Sequence, residues 1–252
     1  MKIVSWNVNS LNVRLPQVLE LLVHQDVDVL ALQETKTSDA SFPVAAIEEM
    51  GYHVVYAGQK SYNGVAIIAR QPMNDGVVDI PQFDDDQRRV LAVTLGDLRI
   101  INLYIPNGQS LDSDKYQYKR AWLKACGDWL RIQYASYPKL VVLGDFNIAP
   151  QDEDMHDPLR WRGKIMCSPT EQAWFSDLLT MGMRDSVREL AGDQPIFTWW
   201  DYRLNAYRRR WGLRIDHVLT SHALAPRSYG IETHCREHER PSDHAPVWIT
   251  LQ

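Results

Sequence analysis

The sequence predicts an α/β (α+β) fold in one domain over residues 1–252, with two mostly antiparallel sheets packed together and flanked by helices. Three observations point there. Short apolar runs alternate with amphipathic stretches along the whole chain, so strands and helices are mixed rather than segregated. Several neighbouring runs are joined by short turn-forming segments, which suit hairpins and not the long crossovers of a parallel sheet. Both ends of the chain read as strands, and no internal repeat, low-complexity tract or linker divides its 252 residues.

The elements follow in order. "KIVSW" is a strand whose polar end is Asn7. "VRLPQVLELLVHQ" sets Leu15, Val18, Leu19, Leu22 and Val23 at helical spacing. "VDVLALQET" is a buried strand that stops at Gln33 and Glu34, and "PVAAIEEM" is a short helix with Pro43 near its start. "YHVVYAG" and "GVAIIAR" form a hairpin across "QKSYN". A second hairpin, "RRVLAVTLGDLRIINLYIPNG", turns near Gly96 and Asp97, and its second strand ends at Tyr104. Ser113 caps a long helix through "DKYQYKRAWLKACGDWLRIQYA". "KLVVLGD" is a further strand, after which Pro150 prevents regular continuation and "QDEDMHDPLRWRGKIMCS" is irregular. "PTEQAWFSDLLTMG" is a helix from Pro169 to a stop at Gly182, and "RIDHVLTS" and "PVWITL" are late strands.

Composition narrows the function. The chain is 45% hydrophobic and 23% charged, ordinary for a protein with a real core, and nine tryptophans are many for this length. A net charge of −5 argues against coating nucleic acid by bulk charge, while leaving room for a local basic face. Cys126, Cys167 and Cys235 are scattered and odd in number. They give neither a disulfide framework nor zinc spacing, and imply a reducing compartment. No stretch resembles a signal peptide or a membrane span, so the expectation is a cytoplasmic protein without membrane contact, and a monomer.

One pattern carries chemistry. Apolar strands end repeatedly on an acid or amide: Asn7, Glu34, then Asp145 and Asn147 in "VVLGDFNIAP", with Tyr104 closing another strand. Asp216 sits inside "RIDHV", and Asp243 and His244 precede the last strand in "PSDHAPV". Taken singly, a strand-end Asp is a turn-former, a loop Asn bonds its own backbone, and an Asp-His pair is a surface ion pair. Recurrence of one arrangement favours convergence on a shared cluster. Oxygen-rich clusters suit Mg²⁺ or Mn²⁺, and an extended D-x-N unit aims both side chains to one side.

"SWNVNSLNVRL", "LALQETK", "YNGVAI", "YIPNG", "VVLGDFNIAP", "GLRIDHVLTS" and "RPSDHAPV" occur here in an order that resembles the exonuclease III family of DNA-repair nucleases, relatives of the apurinic/apyrimidinic endonucleases. "GDFN" and "SDH" alone would indicate only the wider endonuclease/exonuclease/phosphatase superfamily; the other blocks point to this branch. The resemblance covers essentially the whole chain. It implies a four-layer α/β sandwich with the site where the two sheets meet. Glu34 falls on the family's metal glutamate, with Asn7 and Asp243 also at the metal and Asp145, Asn147 and His244 adjoining it. Asp145 matches the base for the attacking water and Asn147 the residue that steadies the phosphate. Tyr104 matches the active-site tyrosine, Asn107 a substrate contact, His244 the histidine at the scissile phosphate, and Asp216 the aspartate that orients it. The implied cofactor is Mg²⁺, with Mn²⁺ as a substitute, and the implied products are a 3′ hydroxyl and a 5′ phosphate.

The partner so implied is double-stranded DNA with abasic sites, nicks or blocked 3′ ends. From Arg203 to Arg214 the chain has no acid; Arg208, Arg209 and Arg210 stand together, with Tyr207 and Trp211 among them. A solvated basic loop is the plain reading; a loop that grips phosphates and wedges bases is the functional one. The resemblance sets Trp199, Trp200 and Leu213 around a pocket for a sugar lacking its base. Arg14, Lys36, Lys115 and the Arg160–Lys164 run add candidate backbone contacts. Met166 stands where many abasic-site endonucleases carry a small residue. Either it narrows the slot for an extrahelical sugar, favouring 3′-end processing, or it fills a hydrophobic gap. Two other functions fit parts of the pattern: a phosphatase of small molecules, which has no use for the arginine loop, and a DNA-binding protein with an idle site.

Overall fold

The computed structural model describes residues 1–252. In chain order it runs β1 (Lys2–Asn7), α1 (Leu11–His24), β2 (Val29–Gln33), α2 (Val44–Glu48), β3 (His53–Ala57), β4 (Val65–Ala69), β5 (Asn74–Val78), β6 (Val90–Leu95) and β7 (Leu98–Tyr104). It continues α3 (Asp114–Ser136), β8 (Leu140–Asp145), α4 (Pro158–Trp161), α5 (Pro169–Thr180), β9 (Met183–Asp185), α6 (Ser186–Ala191), β10 (Asp216–Ser221), β11 (Pro226–Ile231) and β12 (Val247–Leu251). Short 3₁₀ turns punctuate the loops.

The strands form two six-stranded sheets, ordered β11-β12-β1-β2-β4-β3 and β5-β6-β7-β8-β10-β9. Within each, a single neighbouring pair is parallel: β1 with β2, and β7 with β8. These pairs are the ones joined by the long crossover helices α1 and α3, as parallel pairing requires. Adding six to each strand number of the first sheet, counting past β12 back to β1, gives the second sheet's order. The chain thus repeats its topology, although its residues carry no visible repeat.

Four layers result. Inward faces of both sheets share one core, with Ile3, Ala31 and Ile67 opposite Val93, Ile100 and Leu143. On the outer faces, Val18 and Leu22 of α1 cover the first sheet and Trp122 and Leu130 of α3 cover the second. A polar tie crosses the central core near one rim. Asn102 Nδ2 donates to Leu32 O at 2.9 Å and Ala66 O at 3.0 Å, and Gln33 Nε2 donates to Asn102 Oδ1 at 2.8 Å. These buried amide hydrogen bonds fix the register of one sheet over the other.

Local chemistry explains the boundaries. Ser113 Oγ accepts the Tyr116 N–H at 3.1 Å and caps α3. Ser168 and Glu171 form a reciprocal capping box on α5, with Pro169 in its first turn. The second hairpin turns on Gly96, at a φ of 61° in a two-residue loop between paired Leu95 and Leu98. The sequence reading omits β5, β9 and β11, and the structure adds them as edge or near-solvent strands with little apolar content. The tract read as irregular contains α4, and Val23, expected on the apolar stripe of α1, is exposed.

Candidate active site

The two parallel pairs bring four strand ends to one rim. Asn7 closes β1 beside Gln33 of β2, and Tyr104 closes β7 beside Asp145 of β8. Asp216 opens β10 opposite Asp145. Because the sheets face each other, Asn7 Nδ2 reaches across to Asp145 Oδ2 at 2.9 Å while also donating to Glu34 Oε1 at 2.9 Å. His244 enters from the loop before β12; its Nδ1 lies 2.8 Å from Asp216 Oδ2 and its Nε2 3.8 Å from Asp145 Oδ2. The structure therefore brings together Asn7, Glu34, Asp145, Asp216 and His244.

Asn147 joins them by a route the sequence pattern does not suggest. Its φ is 49°, so the D-x-N segment is a turn, not an extended pleat. Asn147 N donates to Asp145 Oδ1 at 2.9 Å, closing an Asx turn, and its Nδ2 donates to Asp145 Oδ2 at 3.1 Å and to Ile105 O at 3.0 Å. Asn107 Nδ2 then donates to Asn147 Oδ1 at 2.9 Å. Asp243 stands further along the rim, with Oδ1 accepting from Asn9 at 3.0 Å and Oδ2 from Trp199 Nε1 at 3.0 Å. Asn9 is a residue the sequence reading passes over. It also donates from its backbone to Asn7 Oδ1 and accepts from Lys36, and the N-x-N spacing of "NVN" was the available signal.

The charges are unequal. Burial pushes the Asp145 carboxyl up to about 7 against the pull of His244. Burial alone would lower His244, but the carboxylates of Asp216 and Asp145 outweigh it and lift the imidazole to about 10. Burial is the largest influence on the Glu34 carboxylate and raises its pKa, yet the Lys36 ammonium at 2.8 Å, the Asn7 amide and the His244 charge together outweigh it and hold the pKa below the usual carboxylate range. Lys36 thus belongs to the rim and not to a remote DNA contact. Burial, then the negative charge of Glu34, drives the Tyr104 phenol well above its ordinary value, leaving it a protonated donor.

The donor set fits a hard divalent cation. Ligand atoms of Asp145, Asp216 and His244 lie within 4.8 Å of one another, and Asp216 Oδ1 is buried without any partner. The carboxylates of Glu34, Asp145, Asp216 and Asp243 gather around His244 and Lys36, an oxygen-rich set of the kind a hard cation takes.

Two clefts flank the rim. One, of about 500 Å³, is lined by Tyr104, Asn107, Arg89 and Lys115. The other, also about 500 Å³, is lined by Trp199, Trp211, Trp161, His156 and Arg203. Arg208, Arg209 and Arg210 are exposed; Arg209 lies over the Trp211 ring at 4.6 Å, while Arg208 and Arg210 line a separate cleft. A larger cleft of about 880 Å³ lies between α3 and α5 and contains none of the rim residues. One expected DNA contact is corrected: Leu213 is fully buried and offers no face to a ligand, whereas Trp200, packed against Ala206 and Ala245, still lines a cleft of about 790 Å³ with Tyr207, Arg208 and Arg210. Met166 packs with Leu213, Ile215 and Met155, with Trp199 against the same group. It both fills a gap and occupies the space beside Trp199. All three cysteines are buried and free, and no helix is long and apolar enough to cross a membrane.

Carboxylates, amides and one imidazole held at the joined ends of two stacked sheets define a metal-assisted hydrolase of phosphate esters. Residues 4–244 match the endonuclease/exonuclease/phosphatase family, and the chain belongs to that family, in its exodeoxyribonuclease III branch. It is similar to the exodeoxyribonuclease III of Haemophilus influenzae, 36% identical over 269 residues and covering all of both chains. Among solved structures, the 3′ phosphatase NExo from Neisseria bound to a product DNA hairpin superposes with a TM-score of 0.98 at 47% identity, covering 100% of this chain and 99% of that one. An AP endonuclease from Archaeoglobus fulgidus superposes with a TM-score of 0.96 at 32% identity, covering 100% of this chain and 99% of that one.

Proposed function

We propose that the chain is a metal-dependent DNA-repair nuclease that works chiefly at 3′ ends of duplex DNA, removing 3′ phosphates and other blocks and trimming 3′ to 5′, to leave 3′ hydroxyls. The observation that carries this reading is the Asp145 carboxylate. It is held by Asn7 and Asn147 and faced by His244. The likeness to a 3′ phosphatase at 47% identity supports the 3′-end preference.

Asp145 is the base for water: its raised pKa, about 7, makes it a useful proton acceptor near neutrality. Asn7 and Asn147 orient it. His244, kept protonated through Asp216 and Asp145, donates from Nε2 to a phosphate oxygen, and the Tyr104 phenol donates beside it. Glu34, with Asn7, Asp145 and Asp243 around it, holds Mg²⁺ or Mn²⁺. When bound, the cation polarises the phosphate and offsets charge on the leaving oxygen. Lys115 and Arg208–Arg210 grip the flanking backbone. Three buried thiols suit a reducing cytoplasm. The catalytic unit is residues 1–252, acting as a monomer.

Met166 sets the balance between substrates. Its φ of 69° is a conformation that favours glycine, and its side chain fills the space beside Trp199 that an extrahelical sugar needs. A panel of duplexes with a 3′ phosphate, a recessed end or an abasic site, run beside inositol phosphates, tests the proposal. Wild type should prefer the 3′ phosphate, and Met166→Gly should gain abasic incision by at least about tenfold, the scale of one pocket-filling group. Preference for the inositol phosphates, or no gain in the variant, would refute it.

A further inference from the structure

We infer that the buried Lys119–Glu171 ion pair is a positioning device for the reaction, setting the Asn107 and Asn147 amides and tying them to the Met166 turn. Both side chains are fully buried, on α3 and α5 respectively. The three ammonium protons of Lys119 are all placed: on Glu171 Oε1, on Asn147 O at 2.9 Å and on Asn107 O at 3.3 Å. Glu171 accepts Met166 N at 3.1 Å on one oxygen, and Ser168 N at 3.0 Å and Ser168 Oγ at 2.6 Å on the other. Met166 O in turn accepts Ala149 N at 2.8 Å, closing the circuit back to the loop after β8.

Packing alone does not require this. Two apolar side chains of similar volume fill such a space without the desolvation that two buried charges incur. What they cannot do is grip two carbonyls and two amide N–H groups on three separate loops. Asn147 lies in the left-handed region, and its carbonyl is clamped by Lys119 while its side chain holds Asp145. The Asn107 loop has no slack either. At Gly108, with φ +90°, an added Cβ would lie 3.2 Å from Lys119 Cδ and 2.9 Å from Ile165 Cδ1. Lys119 acts on no substrate atom. It acts through Asn147 and Asn107, and through Glu171 the same pair reaches the turn that carries Met166. The inference rests on the roles proposed above for Asp145 and Asn147.

The test is the apolar replacement Lys119→Met with Glu171→Leu, assayed with Mg²⁺ on a 3′-phosphate duplex at a temperature where circular dichroism shows it folded. The kcat should fall about 100-fold, the scale of a misplaced reacting group, with KM nearly unchanged, and the ratio of abasic incision to 3′-phosphate removal should shift. A folded double variant with kcat and that ratio both near wild type overturns the inference. Should the double variant not fold, Glu171→Gln, which keeps the shape and removes the charge, is read by the same split. Asn147→Ala separates the two claims. If it stays fully active, the role proposed for Asn147 fails; if it is inactive while the pair variants are normal, the positioning role alone fails.

Discussion

Glu34 and Asn147 follow topologically equivalent strands, β2 and β8, and both sit at positive φ, 52° and 49°. For a non-glycine residue that conformation costs about 1–3 kcal/mol and persists only where the surroundings over-determine it. Here they do: Glu34 is held by Asn7 and Lys36, and Asn147 by Asp145, Asn107 and Lys119. Glu34→Ala should therefore leave the fold intact but raise the Mg²⁺ concentration for half-maximal activity by at least about tenfold, read from a metal titration of turnover. His244 gives a second test. In the metal-free protein it should titrate near pH 10, so ¹⁵N NMR at pH 8 should show an imidazolium. A neutral ring there would mean that Asp216 and Asp145 do not hold it. The identities at this scale were legible from strand ends, but the geometry was not. Asp145 and Asn147 meet through an Asx turn, and Asn9, flanked by Asn7 and Asp243, has no apolar strand of its own to flag it.

At the level of elements, the loop after β8, the β9–α6 junction and the start of β10 are held by one buried ionic cluster. Arg214 donates to Asp154 at 2.7 Å and to Asp185 at 2.8 Å, and Arg188 also reaches Asp154. Burial works against the Asp185 carboxylate, but Arg214 and His217 together outweigh it and hold the pKa well below the usual carboxylate range. A carboxyl whose folded pKa is depressed adds stability that is present above its unfolded pKa, about 3.9, and is lost as pH falls below it. Urea unfolding should show stability dropping as pH is lowered from 5 through the region of 3.9 and beneath it. Asp185→Asn should flatten that acid limb and, by removing one of the two carboxylates that hold buried Arg214, cost about 1–3 kcal/mol at neutral pH. An unchanged limb would place the acid sensitivity elsewhere. Sequence reading handles central elements better than these margins. β8 and β2 are mainly apolar runs, whereas β5 is a largely exposed and β11 a half-buried edge strand with mixed side chains, as suits edges that avoid aggregation. Arg214, read as part of a basic DNA loop, is buried because the pattern of charges along a chain does not say which one has a partner inside.

The molecule as a whole uses a repeated strand order to make one asymmetric site. Each half supplies a parallel pair whose ends face the other half; one brings Asn7 and Glu34, the other Tyr104, Asp145 and Asn147. The fold class was readable from periodicity and hairpin turns, whereas the convergence of strand ends was indicated only by the recurrence of acids and amides there and by the family resemblance. The repeat was not, because stacking of equivalent strands constrains only their apolar character. Charge is arranged on the same scale: the chain carries a net −5, yet Arg208, Arg209 and Arg210 stand exposed together, Arg209 over Trp211 and the other two along the cleft that Trp200 lines. Replacing all three with alanine should weaken duplex binding and reduce the slope of log affinity against log salt by about 2–3, measured by fluorescence anisotropy. An unaltered slope would put the DNA on another face. The most direct measurement of the central claim is single-turnover hydrolysis of a 3′-phosphate duplex by Asp145→Asn with saturating Mg²⁺, beside its affinity for the same duplex. The account requires a rate at least about 10³-fold lower with binding held within a few fold. A variant that still turns over within about tenfold of wild type would contradict it, since Asp145 could not then be the group that takes the proton from water.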